Sequence, residues 1–342
     1  MMKNGNSKKI TAFLLAAALT VLAVIVITDL KKSQTPSVQS TGFAMGSVIS
    51  VTLYGTEEDS AAQEIFDAIS EEETKYISRY KETSEIYKLN ENGSLTLSDH
   101  TAEILNKALE ISANSGGAFD ITVGALSSLW NFDDGTETVP DSADINDALE
   151  TCGYEKITQN GNEFTLYKGQ QLDLGAMGKG IGCDIALEIL KKHTEVTGAV
   201  VSVGGTILTY GENPDSDCWT VGIRTPEKDD TSVYMSVKVK GTNFISTSGN
   251  YEKCFEKDGV LYHHILSPET GSPANSGLKS VTVIADSGLE ADALSTACFV
   301  LGAENSQQTA DTYGIETIFT DSKSAVTASG GISENIIYYN LK

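Results

Sequence analysis

Asp292 and Thr296 stand four residues apart in Ala291-Asp292-Ala293-Leu294-Ser295-Thr296, at the head of an apolar run with helical spacing. One helical turn separates them, so the carboxylate and the hydroxyl share a face. Such a pair can hold a hard cation, with backbone carbonyls and water completing the shell. It can equally be an Asp placed in a first turn by the helix dipole, beside a Thr bonded back to a carbonyl. The spacing does not choose between these. A second segment, Leu172-Asp173-Leu174-Gly175-Ala176-Met177-Gly178-Lys179-Gly180, ends a strand in small residues and opens a helix. That arrangement turns N–H groups toward an anion, although close strand–helix packing uses the same glycines. Lys179 is followed by Gly and not by Ser or Thr, so this is no Walker A loop, and the glycine spacing is no dinucleotide fingerprint.

Three further segments have the residue types for chemistry. Ser115-Gly116-Gly117-Ala118-Phe119-Asp120-Ile121-Thr122 is a glycine-permitted turn with an acid before a helix. Asp120 reads as an N-cap, the commoner fate of such a residue, or as part of a backbone that approaches a planar ligand. Val203-Gly204-Gly205-Thr206 reads as a tight turn or bulge between strands. His263 and His264 are two of only four histidines, and they end an aromatic strand before the turn-rich Ser267-Pro268-Glu269-Thr270-Gly271-Ser272-Pro273. Adjacent strand residues face opposite ways, so at most one of the pair reaches a site.

The elements that must position these residues follow from hydrophobic spacing. Residues 48–53 alternate as a first strand. Residues 59–78 and 98–115 have apolar side chains at helical spacing, the second run ended by Gly116 and Gly117. Residues 133–144 are acidic, contain Pro140 and read as an exposed loop, with a short helix over 141–151. Residue 157 and residues 164–167 and 171–174 read as short strands, and 175–192 as a helix entered through glycines. Residues 199–203, 207–210, 219–223, 233–239, 243–246 and 281–285 read as strands, and 289–300 as a helix. Helices and strands mix without strict βαβ alternation. The class is therefore α+β, a single mixed α/β ectodomain with no internal linker or repeat.

The 342 residues include 24 basic and 47 acidic side chains, a formal charge of −23. A surface that negative repels phosphate backbones, which argues against nucleic acid as a partner. A phosphate-bearing ligand would need a local cation, a helix N-terminus or a nest of backbone N–H groups. Residues 10–27 are free of charge, preceded by Lys3, Lys8 and Lys9 and followed by Asp29, Lys31 and Lys32. As a helix this run spans about 27 Å, close to the ~30 Å hydrocarbon core, so it reads as a transmembrane or signal-anchor helix. A cleaved signal peptide is the alternative, but the run is long for an h-region and no A-x-A site closes it. The amino-side lysines put that end inside and the rest outside the membrane. The expected division is 1–32 cytoplasmic stub and anchor, 33–41 polar tether, and 42–342 folded domain. The five cysteines, Cys152, Cys183, Cys218, Cys254 and Cys298, form no C-x-x-C pair and read mostly as small core residues.

Taken together, the segments resemble the ApbE-type FAD:protein FMN transferase family. The similarity begins at Ala44-Met45-Gly46-Ser47. It runs in order through Ser78-Arg79-Tyr80, Ser84-Glu85-Ile86, Leu89-Asn90, residues 116–122 and Leu129-Trp130-Asn131-Phe132. It continues through residues 172–180 with Asp184, Gly204-Gly205, residues 219–223 and Thr247-Ser248-Gly249-Asn250-Tyr251-Glu252. Residues 264–271 and 291–302 close it. The resemblance implies that 42–342 is an ApbE-like domain that moves FMN from FAD to a threonine hydroxyl of an acceptor protein and releases AMP. Met45, Tyr80, Ala118, Phe119, Asp120 and Asp173 match positions that hold FAD, and Lys179 and Leu266 fall at flavin-contact positions. The backbone carbonyl of Ala176, with Asp292 and Thr296, matches a magnesium site, where Mn²⁺ is a possible substitute. His264 matches the base that activates the acceptor threonine. Acceptors of the family display that threonine in a Gly-Ala-Thr-containing sequence and belong to redox pumps or extracellular electron-transfer proteins. The implied location is the cell membrane, single-pass, with the catalytic domain extracytoplasmic. Ser267 stands where the family usually has Asp, Thr206 where Asp or Asn often follows the double glycine, and Ser295 at a further acidic position of some members. Two alternatives use the same residues: an FAD pyrophosphatase giving FMN and AMP, and a non-catalytic surface flavin-binding protein.

Overall fold

The structure is a computed structural model that describes residues 35–132, 135 and 137–339. Its strands are β1 (Ser37–Ala44), β2 (Ser47–Tyr54), β3 (Ser94–Thr96), β4 (Thr158–Asn160), β5 (Glu163–Thr165), β6 (Gly198–Val203), β7 (Thr206–Gly211), β8 (Trp219–Arg224), β9 (Val233–Val239), β10 (Asn243–Gly249), β11 (Cys254–Lys257), β12 (Val260–His263), β13 (Leu278–Ala285), β14 (Glu316–Asp321), β15 (Val326–Ala328) and β16 (Ile336–Tyr338). Its helices are α1 (Ser60–Glu72), α2 (Glu85–Asn92), α3 (Asp99–Asn114), α4 (Gly124–Trp130), α5 (Ser142–Thr151), α6 (Gly178–Leu190), α7 (Gly288–Leu301), α8 (Gln307–Tyr313) and α9 (Gly330–Ser333).

Eight strands form one sheet in the order β1-β2-β6-β7-β10-β13-β14-β15, and every neighbouring pair is antiparallel. Both faces of this sheet are covered, which explains why β6 and β13 are buried at successive positions. On one face Ala199, Val201, Val203, Leu208, Phe244, Val281 and Val283 join the main core with α1, α6 and α7. On the other face Val200, Ile207, Ile245 and Ile284 meet Trp219, Val221, Val237 and Ile223 of the small sheet β16-β9-β8. The result is a mixed α/β fold in three layers, as the sequence-based α+β reading expects. Between β2 and β6 the chain leaves the sheet and supplies α1 to α6, which hold much of the candidate site.

Three expectations are corrected. Residues 37–41, expected as tether, belong to β1, which pairs with β2 from Ser37↔Tyr54 to Ala44↔Ser47. The folded unit therefore begins before residue 42. β1 lies at a sheet edge and reads Ser-Val-Gln-Ser-Thr-Gly-Phe-Ala, without the regular apolar alternation that marks a strand. Residues 171–174 do not form a strand, and Gln171 makes only an isolated bridge to Val123. The helix expected over 59–78 is α1 continued by a π-helical turn, Glu73–Ile77. The expected membrane helix at 10–27 lies outside the described residues. Among the described residues no helix is long and apolar enough to cross a membrane.

Candidate active site

α6 and α7 cross at two glycines. A Cβ on Gly180 would lie 2.0 Å from the Gly288 carbonyl oxygen, and one on Gly288 would lie 2.2 Å from that of Gly180. Only glycine at both positions permits this approach. Asp184 of α6 fixes the register, because its carboxylate accepts from the Gly288 N–H at 2.7 Å and the Leu289 N–H at 2.8 Å at the start of α7. Burial raises the pKa of Asp184, and these hydrogen bonds oppose the rise. The crossing sets Asp292 against the first turn of α6. Asp292 is 3 % exposed. Its Oδ2 accepts the Gly180 N–H at 3.0 Å, and its Oδ1 accepts the Ser246 hydroxyl at 2.9 Å and the Thr206 hydroxyl at 3.3 Å. The Lys179 Nζ lies 3.6 Å from the same Oδ1.

Beside Asp292 runs a chain of hydroxyls. Ser295 Oγ donates to the Asp292 carbonyl at 2.8 Å and lies 2.7 Å from Ser248 Oγ, which lies 3.2 Å from Thr296 Oγ1. Each hydroxyl has one proton. If Ser295 spends its proton on the carbonyl, Ser248 donates to Ser295 and Thr296 to Ser248, which leaves the Thr296 lone pairs for another partner. The Gly180 N–H goes to Asp292 and not back to the Ala176 carbonyl one turn earlier, so that carbonyl lacks its helical donor. Asp292, Thr296 and the Ala176 carbonyl thus offer hard oxygen donors, a set that fits Mg²⁺ or Mn²⁺. Among the described residues no three His, Cys, Asp or Glu side chains gather as a metal site. A cation here would rest on one carboxylate and neutral oxygens.

The two histidines separate as strand alternation requires. His263 is buried, donates Nε2–H to the Ala274 carbonyl at 3.1 Å and meets the Phe299 ring edge-on. Its Nδ1 is buried without a hydrogen-bond partner, and burial pushes its pKa down to about 4. It is a packing residue. His264 is exposed to solvent. Its Nδ1 lies 3.2 Å from the Glu252 carbonyl. A carbonyl only accepts, so Nδ1 holds the proton and Nε2 presents a lone pair. Desolvation first, then the charges of Lys253 and Lys179, lower the His264 pKa and keep the ring neutral.

The opposite end of the 172–180 turn is held by an ion pair. Arg79 Nη1 lies 2.9 Å from Asp173 Oδ2, while Arg79 Nη2 donates to the Gly124 carbonyl at 2.8 Å. Asp173 Oδ1 accepts the Gly175 N–H at 2.9 Å. Asn90 clasps Leu172 through both its backbone groups, at 2.9 and 2.7 Å. The Asp173 N–H donates to Ile121 at 2.7 Å, which brings the Asp120 and Asp173 segments side by side. Asp120 is not an N-cap, because α4 begins at Gly124 with Val123 before it. Its carboxylate instead accepts from the Thr122 N–H and hydroxyl at 2.8 and 2.7 Å and from the Tyr154 N–H at 3.0 Å. Burial raises its pKa, and these bonds oppose the rise.

The other expected flavin contacts fall into two kinds. Met45 and Gly46 close the β1–β2 hairpin with φ of +52° and +65°. A methionine in that region is strained by about 1–3 kcal/mol, and Glu73 of the π-helical turn holds its N–H at 2.9 Å. Tyr80 is open, 70 % exposed, with Arg79 over its ring. Ala118 is half-buried. The side chains of Phe119 and Leu266 are buried: Phe119 lies in the main core and Leu266 packs with Leu126, Trp130 and Cys152. Gly204-Gly205 is the tight β6–β7 turn expected, yet it also abuts the site, since a Cβ on Gly204 would lie 2.9 Å from Lys179 Cδ. The residue-by-residue reading did not single out Arg79, Glu73, Ser246 or Ser248. The signal for the serines was the alternation with Phe244 on β10, which puts all three on the α7 side.

The ApbE family model matches residues 45–319. The FAD:protein FMN transferase of Treponema pallidum is 33% identical over 316 residues, 85% of this chain and 86% of that protein. That of Vibrio cholerae is 32% identical over 267 residues, 75% and 78% of the two chains. The crystal structure of the ApbE protein of Thermotoga maritima matches with a TM-score of 0.79 at 29% identity, over 87% of this chain and 99% of that one. The Pseudomonas stutzeri flavinyl transferase ApbE matches with 0.75 at 29% identity, over 90% and 98%. On sequence and on fold alike, this chain belongs to the ApbE family.

Proposed function

We propose that this transferase moves the FMN half of FAD onto a threonine hydroxyl of an extracytoplasmic acceptor protein and releases AMP. The observation that carries the mechanism is the tautomer of His264. With Nδ1–H committed to the Glu252 carbonyl, Nε2 accepts the threonine proton as the hydroxyl oxygen attacks the phosphorus of the FMN half. The bond from that phosphorus to the bridging oxygen breaks, and AMP leaves with the electron pair. The lowered pKa of His264 keeps the base neutral near pH 7.

Asp292, Thr296 and the Ala176 carbonyl would hold Mg²⁺, or Mn²⁺ in its place. When bound, the cation supplies charge neutralisation at the diphosphate and polarises phosphorus. On a chain of formal charge −23 that help is needed. Met45, Tyr80, Ala118, Phe119, Asp120 and Asp173, with Lys179 and Leu266, are the positions we assign to FAD, on the resemblance to the family. The anchor reading rests on the 10–27 run alone. It predicts that the native protein fractionates with membranes, its N-terminus intact, and a freely secreted mature chain would defeat it.

The transfer is tested by mixing the purified chain with FAD, Mg²⁺ and an acceptor domain containing a Gly-Ala-Thr sequence. AMP and an acceptor heavier by one FMN should appear together. AMP without the mass change would mean that water replaces threonine, and neither product would leave only a flavin binder.

A further inference from the structure

Lys179 sits between the two halves of the chemistry. Among the described residues, Asp292 is the one carboxylate within ion-pair reach of its ammonium, at 3.6 Å from Oδ1. Its charge is also felt at His264. The stem crosses the β6–β7 turn at Gly204, whose φ of +57° and missing side chain make room for it. The Lys179 side chain is 29% exposed against 4% for Asp292, so the lysine has freedom to move and the carboxylate has none.

We propose that Lys179 and a divalent cation compete for Asp292, so that metal binding displaces the Lys179 ammonium from the carboxylate. The inference rests on the reading of Asp292 as a metal ligand. A buried carboxylate needs a positive partner. Gly180, Ser246 and Thr206 already donate to it, and the ammonium supplies the charge. A hard cation takes carboxylate oxygen at about 2.0–2.1 Å. Such an ion on Oδ1 would lie well inside strong repulsion of an ammonium held at the same oxygen. One positive group must leave, and the exposed four-carbon stem is the one that can swing. The exchange makes the bare metal site weak by design and leaves a freed cation for the anionic substrate.

The test measures Mn²⁺ binding without FAD, by loss of the free-ion paramagnetic resonance signal. Lys179→Met should tighten Mn²⁺ binding by about tenfold or more, while Lys179→Arg, which keeps the charge, should stay within about threefold of the unsubstituted chain. Asp292→Asn should abolish binding in either background. Equal affinity in Lys179→Met and the parent, lost in both on Asp292→Asn, overturns the competition and leaves the metal assignment standing. Binding indifferent to Asp292→Asn overturns the metal assignment itself. Thermal melts establish that each variant folds, and Lys179→Gln makes the same test should the methionine variant not.

Discussion

Gly180→Ala is the sharpest single perturbation of the site. The added Cβ would lie 2.0 Å from the Gly288 oxygen, 2.4 Å from the Gly288 carbonyl carbon and 2.8 Å from Asp292 Cβ. The first two are backbone, so no rotamer relieves the clash. Ordinary contact lies near 3.5 Å, so α6 and α7 must part by about 1 to 1.5 Å at their crossing. The 3.0 Å bond from Gly180 N–H to Asp292 is then lost. Overpacking costs about 1–3 kcal/mol and a hydrogen bond to a charged acceptor about 1.5–3 kcal/mol. The sum after relaxation is about 3–5 kcal/mol. With about 2.1 cal/mol/K of unfolding entropy per residue over roughly 300 residues, Tm should drop by about 5–8 °C. Gly182→Ala is the control on the same helix. The atoms nearest its Cβ would be on the Ile69 and Val203 side chains, at 3.5 Å or more, and alanine favours helix by about 1 kcal/mol. Its Tm should hold or rise by about 1–2 °C. Differential scanning calorimetry decides the matter. A Gly180→Ala protein melting within about 1 °C of the parent, or a Gly182→Ala protein falling as far, would refute the packing argument.

His264→Asn should leave Tm in place and slow flavin transfer on the order of 10² or more. His263→Asn should cost about 1–3 kcal/mol of stability while turnover per folded molecule stays within about threefold; equal kinetic damage from the two defeats the assignment. Mg²⁺ should tighten FAD binding by about tenfold, and FAD should tighten Mg²⁺ by the same factor. Calorimetry should find that coupling gone in Asp292→Ala and reduced in Thr296→Ala, and unchanged FAD affinity in EDTA would sink the metal site. His100 bonds both oxygens of buried Glu72 at 3.0 and 2.8 Å, and the first cause of its raised pKa is that bond. A raised folded-state pKa stabilises fully below 6.5 and is lost as pH climbs through the folded value. The stability gap between the parent and His100→Gln, about 0.5–1 kcal/mol at this half-exposed site, should therefore shrink from about pH 6 to about pH 9. A gap that widens would reverse the sign of the argument.

The core elements were legible because their side chains repeat at one period. The helices at 98–115 and 289–300 and the strands from 199 to 246 stand where spacing puts them, within a few residues. β1 was not legible, since an edge strand reading Ser-Val-Gln-Ser-Thr-Gly-Phe-Ala buries little and has no apolar residue at every second position. Asp120 shows a different limit. Its position before a helix suggested a cap, but the carboxylate serves Thr122 and Tyr154, and the Tyr154 partner is 34 residues away in sequence. The same limit hid Ser246, Ser248 and Arg79. Alternation on β10 puts Ser246 and Ser248 on the α7 side, but their partners there, and those of Arg79 at the 172–180 turn, are distant in sequence. Gly180 and Gly288 were visible as glycines, but each is required by the other across 108 residues of chain.

The 172–180 turn is bracketed by two carboxylate–cation pairs, and their differences assign their tasks. Arg79–Asp173 is the tighter pair, at 2.9 Å, with the arginine side chain 7% exposed. Arg79 is also bonded to the Gly124 carbonyl and to Ser128. A guanidinium held in so many directions does not swing, and removing one partner would strand a buried charge. That pair fixes where the turn begins. Lys179–Asp292 is longer, at 3.6 Å, and joins one open cation to one closed anion. A compact ammonium on a flexible stem can trade partners, while Asp292 is held by Gly180, Ser246 and Thr206. A strongly acidic protein that must receive a diphosphate needs positive charge that is compensated before binding and available on binding. Of the two cations on this turn, only Lys179 has the freedom to be both.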